Sequence, residues 1–350
     1  MADKIIRWAK LIYSSLPRVR GLAKKVSASR AYYKIVRAGI ESRVRTSGKG
    51  PFNLVLETSN FCPARCLMCP HSSMKRQKGV MNDEVFSKII ERVKQESLPI
   101  NKVFFSGLGE PLTDPQIIPR IKAFKEMGFS VKLYSNAFLL TSAISQQLVD
   151  LQIEEINISF NGASPEDYQE IMGLDFDKTK ASIENLIKIR KEKKSSLPKI
   201  LISSVLTKDN KDINQHIKNW SKKVDSVTIS IAHEWGGGVQ LNSKFPAKGG
   251  SASGGNVQGS KLTYPCRSLW HTFMVDWEGN FVICCRDFES KFVLGNILTH
   301  SFSETWKSPI LESFRQTHLN FSEEKLPAIC RQCNFPFQDG IEWFVPRSLD

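Results

Sequence analysis

Long apolar runs are missing from this 350-residue chain. Its longest uncharged stretch, residues 133–149, is interrupted by Ser, Asn, Thr and Gln, which excludes a membrane-spanning helix. The opening Met-Ala-Asp-Lys has no apolar core of a secretory signal. With 21 Gly and 16 Pro there is too little of either for a collagen-like or low-complexity chain, and 41% hydrophobic residues exclude wholesale disorder. Acids are scarce at one end only. Residues 1–49 hold 13 Lys/Arg against Asp3 and Glu41, so +11 of the net +14 sits there and the rest of the chain is nearly neutral. That distribution argues against a conventional nucleic-acid reader, which would spread basic charge over its folded body.

What is present begins with eight cysteines. Without a secretory signal, the expected compartment is a reducing cytoplasm, where cysteines serve as metal ligands more readily than as disulfides. The basic N-terminal extension, 1–49, places Ile5, Trp8, Ala9 and Ile12 at helical spacing among Lys4, Arg7 and Lys10, up to Pro17. Two uses fit it: a helix packed on the body, or a docking surface in residues 1–45 for an anionic membrane, RNA or an acidic partner. The second would make the protein peripheral at the membrane. A cleaved organellar presequence is a third reading.

From Phe52 onward, strand-like and helix-like stretches alternate. Strands are expected at 53–58, 102–105, 130–134, 155–160, 199–206 and 226–231. Between them lie helical patterns, one capped by Asn82 with Val85, Phe86, Ile89, Ile90 and Val93 on one face. Others run from Asp114-Pro115 to Gly128 and over 141–151, 178–193 and 209–222. Repeated βα units predict an α/β fold with a parallel sheet, open or closed, and chemistry at the strand ends. Residues 236–261 are Gly/Ser-rich and read as a linker, and 262–342 form a smaller unit with five of the eight cysteines.

The first constellation is Cys62-Pro-Ala-Arg-Cys66-Leu-Met-Cys69, directly after the first strand. Three thiolates in one loop can converge on one centre, and thiolates select zinc or an iron–sulfur cluster. Zinc would want a fourth ligand, which His71 could supply. A cubane held by three cysteines keeps one iron open. The second constellation is Cys266, Cys284 (with Cys285 adjacent) and Cys330-Arg-Gln-Cys333. Four thiolates make a closed site, for zinc or for a cluster.

The first constellation, in its place after the first strand, resembles the radical S-adenosylmethionine (radical SAM) superfamily, and further signatures follow in order. The resemblance implies a partial (β/α)6 TIM-like barrel over 50–235. It implies a [4Fe–4S] cluster on Cys62, Cys66 and Cys69, with SAM at its open iron. It also implies SAM contacts at Gly107, Gly109 and Glu110 (the amino group), and at Asn136, Ser159 and Asn161 (carboxylate and ribose). Met68 stands where the family usually has an aromatic residue. The stretch Val275-Asp-Trp-Glu-Gly279-Asn-Phe-Val-Ile-Cys284-Cys285-Arg-Asp287, with Leu294-Gly-Asn296 and Glu304-Thr-Trp306, resembles the SPASM/twitch domains. That implies one auxiliary [4Fe–4S] cluster on Cys266, Cys284, Cys330 and Cys333, with Cys285 as a spare.

The resemblance implies reductive cleavage of SAM to a 5′-deoxyadenosyl radical, fed by a flavodoxin- or ferredoxin-type reductant. The auxiliary cluster would act as electron acceptor in an oxidation. The expected substrate is a small molecule such as a sugar or cyclitol. Two alternatives are a peptide-modifying maturase and a non-catalytic zinc-stabilised nucleic-acid-binding protein. His233, Glu234 and Arg286 are candidate catalytic residues, because the first two follow the last strand and the third adjoins the auxiliary ligands. His216 and His318 lie in helix-like stretches and are expected at the surface.

Overall fold

A computed structural model describes residues 30–46, 51–205, 213–230, 232, 235–239 and 264–333. The elements run α1 (Arg30–Thr46), β1 (Asn53–Leu56), α2 (Asp83–Gln95), β2 (Lys102–Phe105), α3 (Ile117–Glu126), β3 (Ser130–Ser135), α4 (Ser142–Asp150) and β4 (Glu155–Ser159). Next come α5 (Pro165–Met172), α6 (Phe176–Glu192), β5 (Lys199–Val205), α7 (Ile213–Trp220) and β6 (Ser226–Ser230). The C-terminal part holds α8 (Ser268–His271), β7 (Thr272–Val275), β8 (Asn280–Val282), β9 (Val293–Asn296), α9 (Phe302–Trp306), α10 (Pro309–Leu319) and α11 (Ala328–Arg331).

The strands lie in the order β6-β5-β4-β3-β2-β1-β7-β8-β9. The first six are parallel, a partial TIM-like barrel, and β7 continues the sheet parallel to β1. A β7–β8–β9 meander then closes that edge. The cysteine-rich unit is thus built onto the barrel sheet rather than beside it.

A parallel sheet covered on both faces reads as unbroken apolar runs. This one does not. Leu54, Val103, Phe105, Val131, Leu133, Ile156, Ile158, Ile200 and Ile202 are fully buried, alternate residues that share one face of the sheet. Phe124, Leu148, Ile183 and Leu186 of the surrounding helices belong to the same core. The intervening positions carry Phe104, Lys132, Tyr134, Glu155 and Asn157 on the other, concave face. There Lys132 pairs with Glu155 at 3.4 Å and the Ser203 hydroxyl donates to Asn157 Oδ1 at 2.6 Å. The face that carries these groups can hold a polar guest.

Helix ends follow from capping chemistry. Asn82 Oδ1 accepts the Val85 N–H, and Thr141 Oγ1 accepts the Ile144 N–H. Helix α5 has no counterpart among the expected elements, although Ser164 caps it, Pro165 opens it and left-handed Gly173 (φ 66°) ends it. Its shortness, eight residues, hides its period.

Of the basic extension, α1 is described, and it buries Val36 and Ile40. Tyr33 packs edge-on against Tyr264 (5.3 Å) and Phe321 (6.1 Å). The stripe from Ile5 to Ile12 lies outside the described residues. Among the described residues no helix is long and apolar enough to cross a membrane.

Candidate active site

The loop after β1 carries Cys62, Cys66 and Cys69, and backbone bonds from three places hold it. Within the loop, the Cys69 N–H donates to the Cys66 carbonyl at 3.0 Å. From α5, the carbonyls of Met172 and Ile171 accept the N–H groups of Arg65 (2.9 Å) and Leu67 (3.0 Å). From beyond β6, the Trp235 indole Nε1–H donates to the Met68 carbonyl at 2.9 Å.

Burial pushes the Cys62 thiol up to about 12 and raises Cys66 and Cys69 as well. Each of the first two is raised further by its neighbouring cysteines. Thiols raised in this way lose their protons when a cation replaces them and takes the thiolate charge, which is what iron supplies. His71 Nε2 lies 2.8 Å from the Asn60 carbonyl, an acceptor, so that nitrogen carries the ring proton. Among the described residues no three His, Cys, Asp or Glu side chains are arranged to hold a single metal ion. With His71 Nε2 engaged by Asn60, the loop offers three thiols, a donor set that suits a cluster with one open iron better than four-ligand structural zinc.

The glycine-rich segment after β2 lies against this loop. A Cβ on Gly109 would collide with the Ser59 carbonyl and Asn60 Cα, and one on Gly107 with the Glu57 side chain. Only glycine allows that approach. Glu110 is completely buried and accepts from Ser135 Oγ (2.7 Å), the Asn136 N–H (2.7 Å) and the Leu112 N–H (3.1 Å). Burial raises it to about 7 against the pull of those three bonds. A nearby ammonium would draw it back to the charged form. Asn136 Nδ2 in turn reaches Cys62 Sγ at 3.6 Å.

Glu110 and Asn136 thus adjoin the start of the three-cysteine loop, and Gly107 and Gly109 pack on the segment just before it. Asn161 is joined to it indirectly: Nδ2 contacts Met172 Sδ (2.9 Å), which contacts Cys66 Sγ (3.5 Å), and Oδ1 accepts the Val205 N–H (2.6 Å). Ser159 is exposed at the end of β4.

The second constellation also assembles. Cys266, Cys284 and Cys330 are raised by burial, Cys266 to about 12, and each is raised further by other cysteines of the set. Cys333 is among the neighbours that raise Cys266 and Cys330. Cys285 is exposed, and it too raises Cys266 and Cys284. Cys266, Cys284, Cys330 and Cys333 are half-buried, and four thiols that feel one another again match a polynuclear centre. The surface expectation for His216 and His318 is corrected: they are 2% and 1% exposed. Both sit on the inward side of amphipathic helices, where a single period reads equally well in either rotation. His216 Nε2 meets Ser204 Oγ at 2.7 Å, and burial holds His318 down to about 4.

Sequence reasoning missed what joins the two sites. Arg76 donates to the Phe288 carbonyl (2.7 Å) and to buried Glu57 (2.7 Å). The Lys75 and Arg76 N–H groups bind the Glu289 carboxylate. Arg286 stacks over Trp235 at 4.6 Å, the indole that holds Met68. No local pattern announces contacts between residues so far apart in sequence, although the alternation in Lys132-Leu-Tyr134 could have revealed the polar face. His233 and Glu234 lie outside the described residues.

Comparisons with known proteins place these features. The model of the radical SAM superfamily matches residues 56–218, and that of SPASM, an iron–sulfur cluster-binding domain, matches residues 266–334. The chain is 28% identical over 159 residues to the tungsten-containing aldehyde ferredoxin oxidoreductase cofactor-modifying protein of Pyrococcus furiosus. That match takes in 45% of this chain and 44% of the relative, so under half of the relative's length is represented. It is 21% identical over 309 residues to the PqqA peptide cyclase of Gluconobacter oxydans, covering 81% of this chain and 82% of the other. Its fold is similar to that of BtrN in complex with AdoMet and 2-DOIA (TM-score 0.55, 19% identity, 81% of this chain and 93% of that one).

Proposed function

The chain belongs to the radical SAM superfamily and carries a SPASM domain, with S-adenosylmethionine and [4Fe–4S] clusters as its cofactors, and from that premise we propose that it oxidises a substrate held on the concave face of the barrel. In this reading Cys62, Cys66 and Cys69 hold the SAM-cleaving cluster in a unit spanning 50–235. Cys266, Cys284, Cys330 and Cys333 hold the electron-accepting cluster in a unit spanning 262–342. Bound at these sites, the cofactors supply a hydrogen-abstracting 5′-deoxyadenosyl radical and a sink for one electron.

The chain's own residues bind, orient and exclude water. Gly107 and Gly109 let backbone approach the ligand, and Glu110 balances its ammonium. Asn136 and Ser159 offer amide and hydroxyl groups to its carboxylate and ribose, while Asn161 braces Met172 behind them. Arg286, fixed by its stacking on Trp235, offers a guanidinium to an anionic part of the substrate. The reducing electron comes from a flavodoxin- or ferredoxin-type protein. The observation that carries the reading is the pairing of a three-thiol site with a four-thiol site, tied through Arg76 and Trp235.

The substrate class we favour is a peptide, supported by the likeness to a peptide cyclase over 81% of the chain. A small polar molecule is the second reading, favoured by the Lys132–Glu155 pair, which offers both a donor and an acceptor to a hydroxyl-rich ring. Docking on an anionic membrane or an acidic partner is a further reading for residues 1–45, where α1 packs its apolar side on the body and leaves Lys34, Arg37, Arg43 and Arg45 exposed.

The test is direct. Changing Cys62, Cys66 and Cys69 together to Ala should remove about four irons and abolish 5′-deoxyadenosine formation under dithionite. Retained SAM cleavage in that variant overturns the proposal. Incubating the holoenzyme with short peptides encoded beside its gene should give products about two mass units lighter; unchanged peptides, alongside an oxidised sugar or cyclitol, favour the second reading.

A further inference from the structure

His318 belongs to no motif that suggested a ligand, yet it bridges two of the four second-site cysteines. Its Nδ1 accepts the Cys266 backbone N–H at 3.2 Å. A nitrogen that accepts carries no proton, so the ring is the neutral tautomer with its hydrogen on Nε2. Nε2 stands 3.3 Å from Cys330 Sγ, within reach of a hydrogen bond to sulfur. The ring cannot drift from this position. Arg315, one turn earlier on α10, donates from Nε to the Leu269 carbonyl and from Nη1 to the Trp306 carbonyl, each at 2.9 Å. Phe314 of the same helix packs edge-on against Phe292 at 5.1 Å.

We propose that His318 is a positioning residue of the second site, whose Nε2–H donates to the Cys330 thiolate and raises the reduction potential of the cluster that this thiolate holds. The inference rests on the reading of Cys330 as a cluster ligand. Its physical basis is that an added electron puts more negative charge on the sulfurs. A fixed N–H donor then binds the reduced form more strongly than the oxidised one. The balance is one electron gained by the cluster and no proton moved, because Nε2 keeps its hydrogen in both states. A neutral donor suits the place: it favours the reduced cluster without adding a charge that burial would penalise. The consequence is a site poised to accept an electron from an oxidised substrate rather than to compete with the SAM-cleaving cluster for reductant.

The test is an EPR-monitored redox titration of the full-length holoenzyme, compared with His318→Phe and His318→Gln. The signal that survives in the Cys62/Cys66/Cys69 triple variant identifies the second cluster. The expected result is an unchanged iron count in both variants. In His318→Phe the ratio of reduced to oxidised second cluster at the wild-type midpoint should fall about tenfold, which is a 59 mV shift for one electron. His318→Gln, whose amide N–H can reach the same sulfur, should fall less. Pulsed EPR of the wild type after exchange into D2O should show a deuteron coupled to the second cluster. An unmoved midpoint in His318→Phe overturns the inference, as does the absence of that deuteron from the wild type. Loss of the second cluster from both variants also overturns it, since His318 would then be a ligand or a support of the fold. A wild-type chain with no second cluster at all removes the ligand assignment itself, a separate failure that the iron count reveals first.

Discussion

Glu110 accepts the backbone N–H of Asn136 at 2.7 Å, and through that bond the loop after β2 holds the loop after β3. A carboxylate rather than an amide serves there because it accepts two further bonds, from Ser135 and Leu112, and donates none. The arrangement leaves an acid in an apolar setting, raised from its ordinary 4.5 to about 7.

That shift makes stability depend on pH. Between about 4.5 and 7 the folded chain binds a proton that the unfolded chain has released, so stability falls as pH rises through that window and levels off above it. The span corresponds to at most about 3 kcal/mol. Urea titrations of the cofactor-free wild type and Glu110→Gln should diverge over this window, the wild type losing ground as pH rises. Parallel pH profiles for the two proteins would remove Glu110 as the source.

Gly109→Ala should cost about 1–3 kcal/mol or more and weaken SAM binding at least tenfold, because the methyl meets backbone at Ser59 and Asn60, which cannot rotate away. Gly107→Ala should be comparably costly, since its methyl meets Cβ and Cγ of Glu57, a buried side chain held by Arg76 and by the Leu108 N–H. Thermal melts and equilibrium dialysis with SAM would show both losses. A melting temperature and SAM affinity unchanged in either variant would contradict the packing argument.

The neighbouring cysteines 284 and 285 should behave oppositely. Cys284→Ala should lose the second cluster's iron and product formation while SAM cleavage continues. Exposed Cys285→Ala should keep both iron and turnover. Iron analysis after anaerobic purification reads the difference, and an iron-depleted Cys285→Ala protein would reverse the assignment.

Helix α1 should act as part of the body. Ile40→Ala, at a fully buried site, should destabilise by about 2–5 kcal/mol. Deleting residues 1–46 should also expose Tyr264 and Phe321, whose rings Tyr33 covers, and yield poorly soluble protein. Full solubility and an unchanged melting temperature after that deletion would show that the helix is dispensable.

The sequence by itself determined the strand starts, the helix caps and the cysteine spacings, because each is local. Lys102 and Asn82 announce their elements within a few residues, and Cys62 to Cys69 close on one loop whatever surrounds them. The barrel strands lay where alternation put them to within a residue or two. Tertiary structure alone decided which side of each element faces inward. His216 and His318 are buried although their helices read as surface, because amphipathic period gives a stripe and only packing says where the stripe points. It alone turned Lys132, Glu155 and Asn157 onto a concave face, and it alone brought Arg76 to Phe288 and Trp235 to Met68. Those contacts join residues far apart in the chain, and their geometry is set by the sum of many packed side chains rather than by any neighbouring residues.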